Sequence, residues 1–239
     1  DTVHKTSGRQ KLAVTKDGIV SLKRKSKGEC LGADCTTGIW LICNMINAKI
    51  PGVYVIHAEE EGGCVGSKAL VKSDPQWLDD INYVISFDRY GKKSIITHQM
   101  GRRTASDKFA KLLAKTLELP LKPDPNGSYT DSNVYRLKVS ECTNVSVGYY
   151  SQHSTEEKQD VVYAYKLLEC LISADWDQLQ YYRDNTVVEM GSMYGDWYDD
   201  DDYFFGYPPR GYRYDIDQTG DNRIYDMIVD YPEEVALLL

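Results

Sequence analysis

The alternation of apolar and polar residues along the chain predicts strands and helices that follow one another. Residues 11–22 alternate around Asp17-Gly18, which is the turn chemistry of a β-hairpin. Short apolar runs predict buried strands over residues 53–57, 83–87, 94–98 and 144–149. Segments with helical spacing or length predict helices over residues 39–46, 67–71, 106–119 and 155–172. This order predicts an α/β fold, a three-layer αβα sandwich around a mixed, mostly parallel sheet.

The composition changes at about residue 175. Before that point the prolines and glycine of residues 121–127 predict a loop between regular elements. After it, tyrosines interleave with aspartates without a helical or strand period, and the run 199–202 consists of four aspartates that either attract cations or form a solvated tail. We therefore predict a folded domain over residues 1–175 and an acidic Tyr/Asp-rich appendage over residues 176–239.

Charge and composition narrow the function classes. A net charge of -8 argues against a general nucleic-acid binder, although residues 23–27 are locally basic. No stretch approaches the roughly 18 consecutive apolar residues of a membrane helix. The six cysteines include no CxxC pair, which disfavours a zinc knuckle or a disulfide scaffold. We expect a cytoplasmic protein with free thiols that binds neither nucleic acid nor membrane.

Residues 57–67 carry the most informative chemistry, because they place adjacent carboxylates between an apolar run and a glycine-rich turn. Residues 52–56 read as a buried strand, and the glycines after Glu61 read as a turn into a helix. Carboxylates at the C-terminal end of a strand lie where α/β folds place their sites. One of Glu60 and Glu61 could bind a metal while the other transfers a proton. The alternative is a solvated acidic loop.

Three further ligand-type residues, Asp34, Asp88 and His153, also lie at or near predicted strand ends. Taken singly, Asp34 could cap a helix, Asp88 could form a turn and His153 could be a loop histidine. Taken together with the glutamate pair, they predict carboxylates and an imidazole at one edge of a sheet. Such mixed oxygen and nitrogen ligands suit zinc, manganese or cobalt.

In this order the motifs resemble the co-catalytic zinc exopeptidases of the M28/M20/M42 type, over about residues 1–172. The motifs are Asp-Thr at residues 1–2, Gly-Ala-Asp ending at Asp34, Glu-Glu-x-Gly-x-x-Gly-Ser from Glu60, Phe-Asp-Arg around Asp88, and Gly-Tyr-Tyr-x-x-His ending at His153. No large insertion separates them, so a compact M28-like single domain is the better match. The resemblance makes residues 1–175 a metallopeptidase-like catalytic domain.

The resemblance implies a role for each ligand-type residue. Asp34 matches the carboxylate that bridges two divalent ions, with zinc preferred over manganese or cobalt. Glu61 and His153 match the other ligands of one ion, and Asp88 matches a ligand of the second. Glu60 matches the general base that activates the metal-bridging water. In this family the bridging aspartate commonly precedes a cis peptide bond, so we expect one at Asp34-Cys35.

Two parts of the family pattern match this sequence only in part. Asp1 matches the catalytic Asp of a His-x-Asp motif, whose His would lie upstream of the sequence; we therefore expect an N-terminally incomplete chain, the alternative being that a ligand is missing. Tyr129, Thr130 and Asp131 resemble a substrate-facing loop, with a plain turn as the alternative. This chain has Thr-Asp-Ser where M28 relatives often have Ser-Asp-His.

These observations predict a di-metal hydrolase that cleaves a peptide or related amide bond, with an aminopeptidase preferred over a carboxypeptidase. Its partner would be a peptide or aminoacyl-amide substrate. The C-terminal tail, whose last five residues are apolar, could mediate homo-oligomerisation. The alternative is a catalytically inactive protein that keeps the metallopeptidase fold for binding or assembly, which the missing His and the Tyr/Asp tail support.

Overall fold

Two four-stranded sheets and a two-stranded hairpin organise the computed structural model, which describes residues 10–187. The strands are β1 (Leu12–Val14), β2 (Ile19–Leu22), β3 (Tyr83–Arg89), β4 (Ser94–Ile96), β5 (His98–Gln99), β6 (Arg102–Arg103), β7 (Lys122–Asp124), β8 (Glu141–Ser146), β9 (Tyr149–Tyr150) and β10 (Lys158–Asp160). The helices are α1 (Ala33–Asn47), α2 (Val65–Ser73), α3 (Asp107–Thr116), α4 (Asp131–Val134) and α5 (Val161–Ser173).

The central sheet has the order β3-β8-β4-β7. Strand β3 runs parallel to β8, and β4 runs parallel to β7. The two parallel pairs are joined by an antiparallel contact in which Ile95 lies opposite Val145. Both of these residues are fully buried. The sheet is therefore mixed, with parallel pairing in two of its three contacts, as the sequence predicts.

Helices cover both faces of this sheet. The side chains of successive strand residues point to opposite faces of a sheet, so Tyr83 and Val84 contact different layers. Tyr83 contacts the ring of Phe109 in α3, with 5.5 Å between ring centroids. Val84 packs instead into a buried cluster that includes Leu78 and Tyr135. The prediction of an αβα sandwich is confirmed.

The second sheet is antiparallel, with the order β1-β2-β10-β9. The predicted hairpin over residues 11–22 forms β1 and β2. The prediction that a helix starts near residue 155 is wrong, because residues 158–160 form β10 and pair with β2. Helix α5 begins only at Val161, where the Asp160 carboxylate accepts a hydrogen bond from the Tyr163 backbone N–H at 2.9 Å.

Two other predicted elements differ from the structure. Residues 53–57 are not in a strand and are not buried, with Val53 66% exposed and Ile56 42% exposed. An apolar run becomes a strand only where a neighbour completes its ladder, and within residues 10–187 β3 pairs with β8 alone. Residues 121–127, predicted to be a loop, contain β7, whose Pro123 is tolerated because β7 is an edge strand.

The remaining sequence predictions concern the chain ends, the cysteines and membrane-spanning segments. Asp1 and residues 188–239 of the predicted appendage lie outside the described residues. All six cysteines are free. Among the helices of residues 10–187, none has the length and apolar character needed to cross a bilayer.

Candidate metal centre

Asp34, Glu61 and His153 meet at one point, although they belong to three distant parts of the chain. Each offers a ligand atom, and these atoms all lie within 4.8 Å of one another. Nε2 of His153 lies 2.6 Å from Oε1 of Glu61 and 3.1 Å from Oδ2 of Asp34. Asp34 is nearly buried, whereas the His153 side chain is 42% exposed. The cluster therefore extends from a buried carboxylate, Asp34, to the protein surface at His153.

Local backbone geometry presents each of these ligands. Asp34 lies in the first turn of α1 but has non-helical angles, φ −83° and ψ 106°, and its peptide bond to Cys35 is cis, as the resemblance implies. His153 follows β9 in a left-handed conformation with φ 59°. Asp34 and His153 therefore both lie at backbone positions that are neither regular helix nor regular strand.

The turn that carries Glu60 and Glu61 is held by backbone hydrogen bonds. The N–H groups of Gly63 and Cys64 donate to the carbonyl of Glu60 at 2.9 and 2.8 Å. Gly66 donates to the carbonyl of Ala58 at 3.0 Å and lies so close that a Cβ atom there would meet that oxygen at 2.7 Å. The predicted turn into a helix is confirmed, and helix α2 begins at Val65.

Asp88 extends the acidic cluster below the surface. Its Oδ2 accepts a hydrogen bond from the Thr130 hydroxyl at 3.3 Å, while its buried Oδ1 has no hydrogen-bond partner. Burial, followed by the adjoining Asp34 carboxyl and the charges of Glu60 and Glu61, raises the pKa of Asp88 well above its usual range. A buried carboxylate oxygen without a donor is the environment in which a bound cation supplies the missing partner.

Glu60 lies beside these residues and has an electrostatic setting of its own. Burial is the main cause that raises its pKa to about 7, and the carboxylates of Glu61, Asp131 and Asp34 add to the effect. A carboxyl group with a pKa near neutrality can both take up and release a proton at physiological pH. This pKa is compatible with a general acid-base role for Glu60, and that role stays a prediction.

The donor set fits divalent ions. Asp34, Glu61 and His153 provide two carboxylates and one imidazole, and Asp88 adds a further carboxylate nearby. This combination suits zinc, manganese or cobalt rather than an all-thiolate or all-oxygen site. Burial and the charge of Asp34 also raise the pKa of Glu61, against the opposing effect of His153, so the ionised forms of these two carboxylates repel each other. Cations at this point would relieve that repulsion.

The predicted substrate loop, residues 129–131, contacts residues of the site. The Thr130 hydroxyl reaches Asp88, and Oδ2 of Asp131 lies 3.2 Å from Nδ1 of His57. The other ring nitrogen of His57 makes a short hydrogen bond with the Tyr135 hydroxyl. Tyr129 lies under the ammonium group of Lys68. The contacts of Thr130 and Asp131 support the site's framework, and a substrate role for this loop stays a prediction.

Two residues near the site are missing from the sequence-based prediction. His57 ends the apolar run before the glutamates and pairs with Asp131. Glu157 is only 1% exposed and accepts hydrogen bonds from the backbone around Asp34. The sequence signal for Glu157 is its position four residues after His153, at the start of the helix that the sequence predicts over residues 155–172.

An apolar cleft of about 670 Å³ opens beside the carboxylates. It is lined by Ile39 and Ile42 of α1 and by Val84 and Phe87 of β3, and it reaches Glu60, Asp88 and Thr130. Clefts of roughly 300–1,000 Å³ with apolar walls and a few polar groups are the usual form of small-molecule sites.

Comparison with known proteins gives structural matches. No protein-family model and no curated protein matches the sequence. The fold resembles that of aminopeptidase PepT from Bacillus cereus ATCC 10987, with a TM-score of 0.57 and 15% sequence identity. The match covers 72% of this chain and 77% of the PepT chain.

The fold also resembles two TET enzymes. For the Pyrococcus horikoshii TET1 peptidase the TM-score is 0.51 at 17% identity, over 69% of this chain and 52% of the other. For the TET aminopeptidase of the marine sediment archaeon Thaumarchaeota archaeon SCGC AB-539-E09 the TM-score is 0.50 at 13% identity. This match covers 69% of this chain and 51% of the other. The chain thus spans about half the length of the TET chains that it matches. Over the matched residues it shares the fold of these proteins.

Proposed function

We propose that this chain forms the catalytic domain of a metal-dependent exopeptidase that acts as an aminopeptidase on peptides or related amides. The observation that carries the proposal is the meeting of Asp34, Glu61 and His153 within 4.8 Å, beside Glu60 and a buried, unpartnered oxygen of Asp88. The likeness of the fold to solved aminopeptidases supports it. The assignment to a compact M28-like subtype stays a prediction.

Each residue of the site has a part in the proposed chemistry. Asp34, Glu61 and His153 would hold one divalent ion, and Asp88 together with Asp34 would hold a second. Bound divalent ions supply Lewis acidity to water and to the carbonyl of the scissile bond. Glu60 takes the proton from the attacking water and returns it to the leaving amine, a role that suits its pKa of about 7.

The cleft next to Glu60 suggests what the substrate contributes. Its walls come from apolar residues of α1 and β3, such as Ile42 and Val84. A peptide whose reacting bond lies at Glu60 could place an apolar side chain there, because burial of such a side chain stabilises binding by about 1.5–3 kcal/mol. We therefore propose that peptides or aminoacyl amides with an apolar residue near the scissile bond are preferred.

Self-association is a further part of the proposal. The Pyrococcus horikoshii TET1 peptidase is described as assembling into a tetrahedron or a large octahedral shell. We propose that this chain also forms homo-oligomers, with the tail after residue 175 as the predicted contact.

The experiment that tests the proposed function is the substitution Glu60→Gln, which keeps the size of the side chain but removes its proton chemistry. We expect hydrolysis of a panel of aminoacyl and acyl-amino-acid amides to fall by about 10²–10⁴-fold, the usual contribution of a general acid-base group. Zinc content, measured by mass spectrometry, should stay close to that of the unchanged protein. A chelator should abolish the activity of the unchanged protein.

The matched control is Glu59→Gln, since Glu59 is the exposed neighbour in the same turn. It should leave both activity and zinc content unchanged. Loss of zinc in Glu60→Gln would show that Glu60 is a ligand or a folding residue and would contradict its role as the base. An unchanged protein that takes up no zinc and cleaves no amide would overturn the proposed function as a whole.

A further inference from the structure

Glu157 has an unusual position for a carboxylate. It is only 1% exposed, and it lies between β9 and β10 in the same short segment as His153. Its own backbone N–H donates to the carbonyl of Ser154 at 3.1 Å, which fixes the turn between His153 and Glu157. A buried carboxylate is costly unless hydrogen-bond donors surround it, so the partners of Glu157 indicate what holds it there.

Those partners belong to the backbone that presents Asp34. Oε2 of Glu157 accepts the Gly32 N–H at 2.8 Å, and Oε1 accepts the Asp34 N–H at 3.1 Å. Gly32 has φ 83°, a left-handed conformation in which its N–H and that of Asp34 both reach one carboxylate. Glu157 thus binds the peptide backbone on both sides of Ala33, and it does so through two charge-assisted hydrogen bonds.

A second contact holds helix α1, which contains Asp34, but does not involve Asp34 itself. The Thr37 hydroxyl in α1 donates to Oε1 of Gln159 at 2.7 Å, and both side chains are buried. Gln159 is two residues after Glu157 and is held by the carbonyls of Val147 and Asp160. The segment 153–159 therefore carries one candidate ligand, His153, and two braces on α1, of which Glu157 alone bonds the backbone of Asp34.

From this arrangement we infer that Glu157 is a positioning residue that sets the distance between the Asp34 and His153 ligand atoms. Its carboxylate ties the Asp34 backbone to the segment that carries His153, so the two ligands move as one unit. The inference rests on the proposed metal centre and adds to it a residue that contacts neither substrate nor metal. Groups that orient metal ligands in this way typically change metal affinity by 10–100-fold when they are altered.

The test is Glu157→Gln, which keeps the shape of the side chain but turns one acceptor oxygen into an N–H donor that faces a backbone N–H. Zinc affinity is measured by competition with a chromophoric chelator, and the ligand geometry by the visible absorption of the Co²⁺-loaded protein. We expect zinc affinity to fall by about 10–100-fold. The Co²⁺ spectrum should shift as well, because the two ligands no longer hold their separation.

Two control variants separate positioning from simple loss of stability. Glu156→Gln alters the exposed neighbour of Glu157 and should change neither zinc affinity nor the spectrum. Thr37→Val removes the hydrogen bond to Gln159 and should lower stability in urea while leaving zinc affinity unchanged.

Three results would overturn the inference, and they are distinguishable. If Glu157→Gln binds zinc as tightly as the unchanged protein, with the same Co²⁺ spectrum, Glu157 does not position Asp34, although the proposed function stands. If Thr37→Val loses as much zinc affinity as Glu157→Gln, the effect is one of stability rather than of positioning. If the unchanged protein binds no zinc at all, the proposed metal centre itself fails, and the inference fails with it.

Discussion

Buried carboxylates in this protein differ in what compensates their charge. Glu141 is fully buried and accepts hydrogen bonds from the Ser106 hydroxyl at 2.8 Å and from the backbone N–H groups of Tyr182 and Arg183 at 2.8 and 2.9 Å. Asp88, in contrast, has a buried oxygen with no partner. Uncompensated buried charge costs several kcal/mol. Glu141 is therefore compensated by the protein alone, whereas the proposed metal ion would supply the partner that Asp88 lacks.

Asp124 shows how such compensation makes stability depend on pH. Burial by itself raises its pKa, but hydrogen bonds from the Ser94 hydroxyl at 2.7 Å and from Asn126, together with the charge of Arg89, lower it on balance. A lowered pKa in the folded state adds stability that is present above the unfolded-state value of about 3.9. That stability is lost as the pH falls through the lower folded-state pKa.

We predict that Asp124→Asn lowers the free energy of unfolding by about 1–2 kcal/mol near neutral pH, because it removes charge-assisted hydrogen bonds. The difference from the unchanged protein should begin to shrink as the pH falls below about 4, where the unfolded state becomes protonated, and should vanish as the pH passes through the lower folded-state pKa of Asp124. Urea unfolding at several pH values measures both effects. Asp17→Asn, in an exposed turn, should differ little from the unchanged protein at any pH. A gap that stays constant down to low pH would contradict the prediction.

At the scale of elements, the turn before α2 depends on a close approach of two backbone segments. A Cβ atom at Gly66 would meet the backbone oxygen and nitrogen of Ala58 at 2.7 and 2.8 Å, and neither atom can move without opening the turn. At Gly62 the nearest atoms would lie 3.5 Å away, which is ordinary contact. The two glycines are only four residues apart but differ in what they permit.

We predict that Gly66→Ala destabilises the protein by about 1–3 kcal/mol, the usual cost of overpacking. The direction of this change in stability is informative, because alanine normally stabilises a helix by up to about 1 kcal/mol relative to glycine. The same variant should weaken zinc binding, since the turn presents Glu61. Chemical denaturation and zinc titration measure the two effects.

The matched variant Gly62→Ala should leave stability within about 0.5 kcal/mol of the unchanged protein, as is usual for substitutions outside crowded positions. Equal losses in the two variants would mean that the close approach of Gly66 to Ala58 does not govern this turn.

At the scale of the whole molecule, the described chain continues to pack on the domain after residue 175. The Arg183 guanidinium donates to the carbonyls of Ser140 and Arg136 at 2.6 and 2.5 Å. It also donates to the carbonyl of Val139 at 3.0 Å. These carbonyls precede β8, so Arg183 connects the end of the described chain to the segment that leads into an interior strand of the central sheet. The predicted boundary at residue 175 stays a prediction.

We predict that Arg183→Met lowers the free energy of unfolding by about 2 kcal/mol, because it leaves three backbone carbonyls without these donors. It should also expose residues 176–187 to proteolysis, which limited digestion with mass spectrometry would detect. Arg24→Met, at an exposed position in the basic loop, serves as the control and should change neither property. Unchanged protection of residues 176–187 in Arg183→Met would show that other contacts hold this segment.

Much of the fold and of the candidate site follows from local sequence. The alternation around Asp17-Gly18 determines the hairpin of β1 and β2. The predicted helix over residues 106–119 forms α3, and the hydroxyl of Ser106 before it accepts the Phe109 N–H at 3.0 Å. The sequence also predicts the convergence of Asp34, Glu61 and His153, because ligand-type residues near the ends of elements and the order of the motifs both indicate a shared site.

Only the tertiary structure decided which segments found partners and which carboxylates became buried. Residues 158–160 form a strand because β2 lies beside them, whereas the apolar run 53–57 has no ladder. Glu157 is buried because the backbone at Gly32 and Asp34, more than a hundred residues earlier, supplies its donors. Periodicity and capping are properties of neighbouring residues, so the sequence determined them by itself. Strand pairing and the burial of charge depend on distant segments, and only the folded chain brings those together.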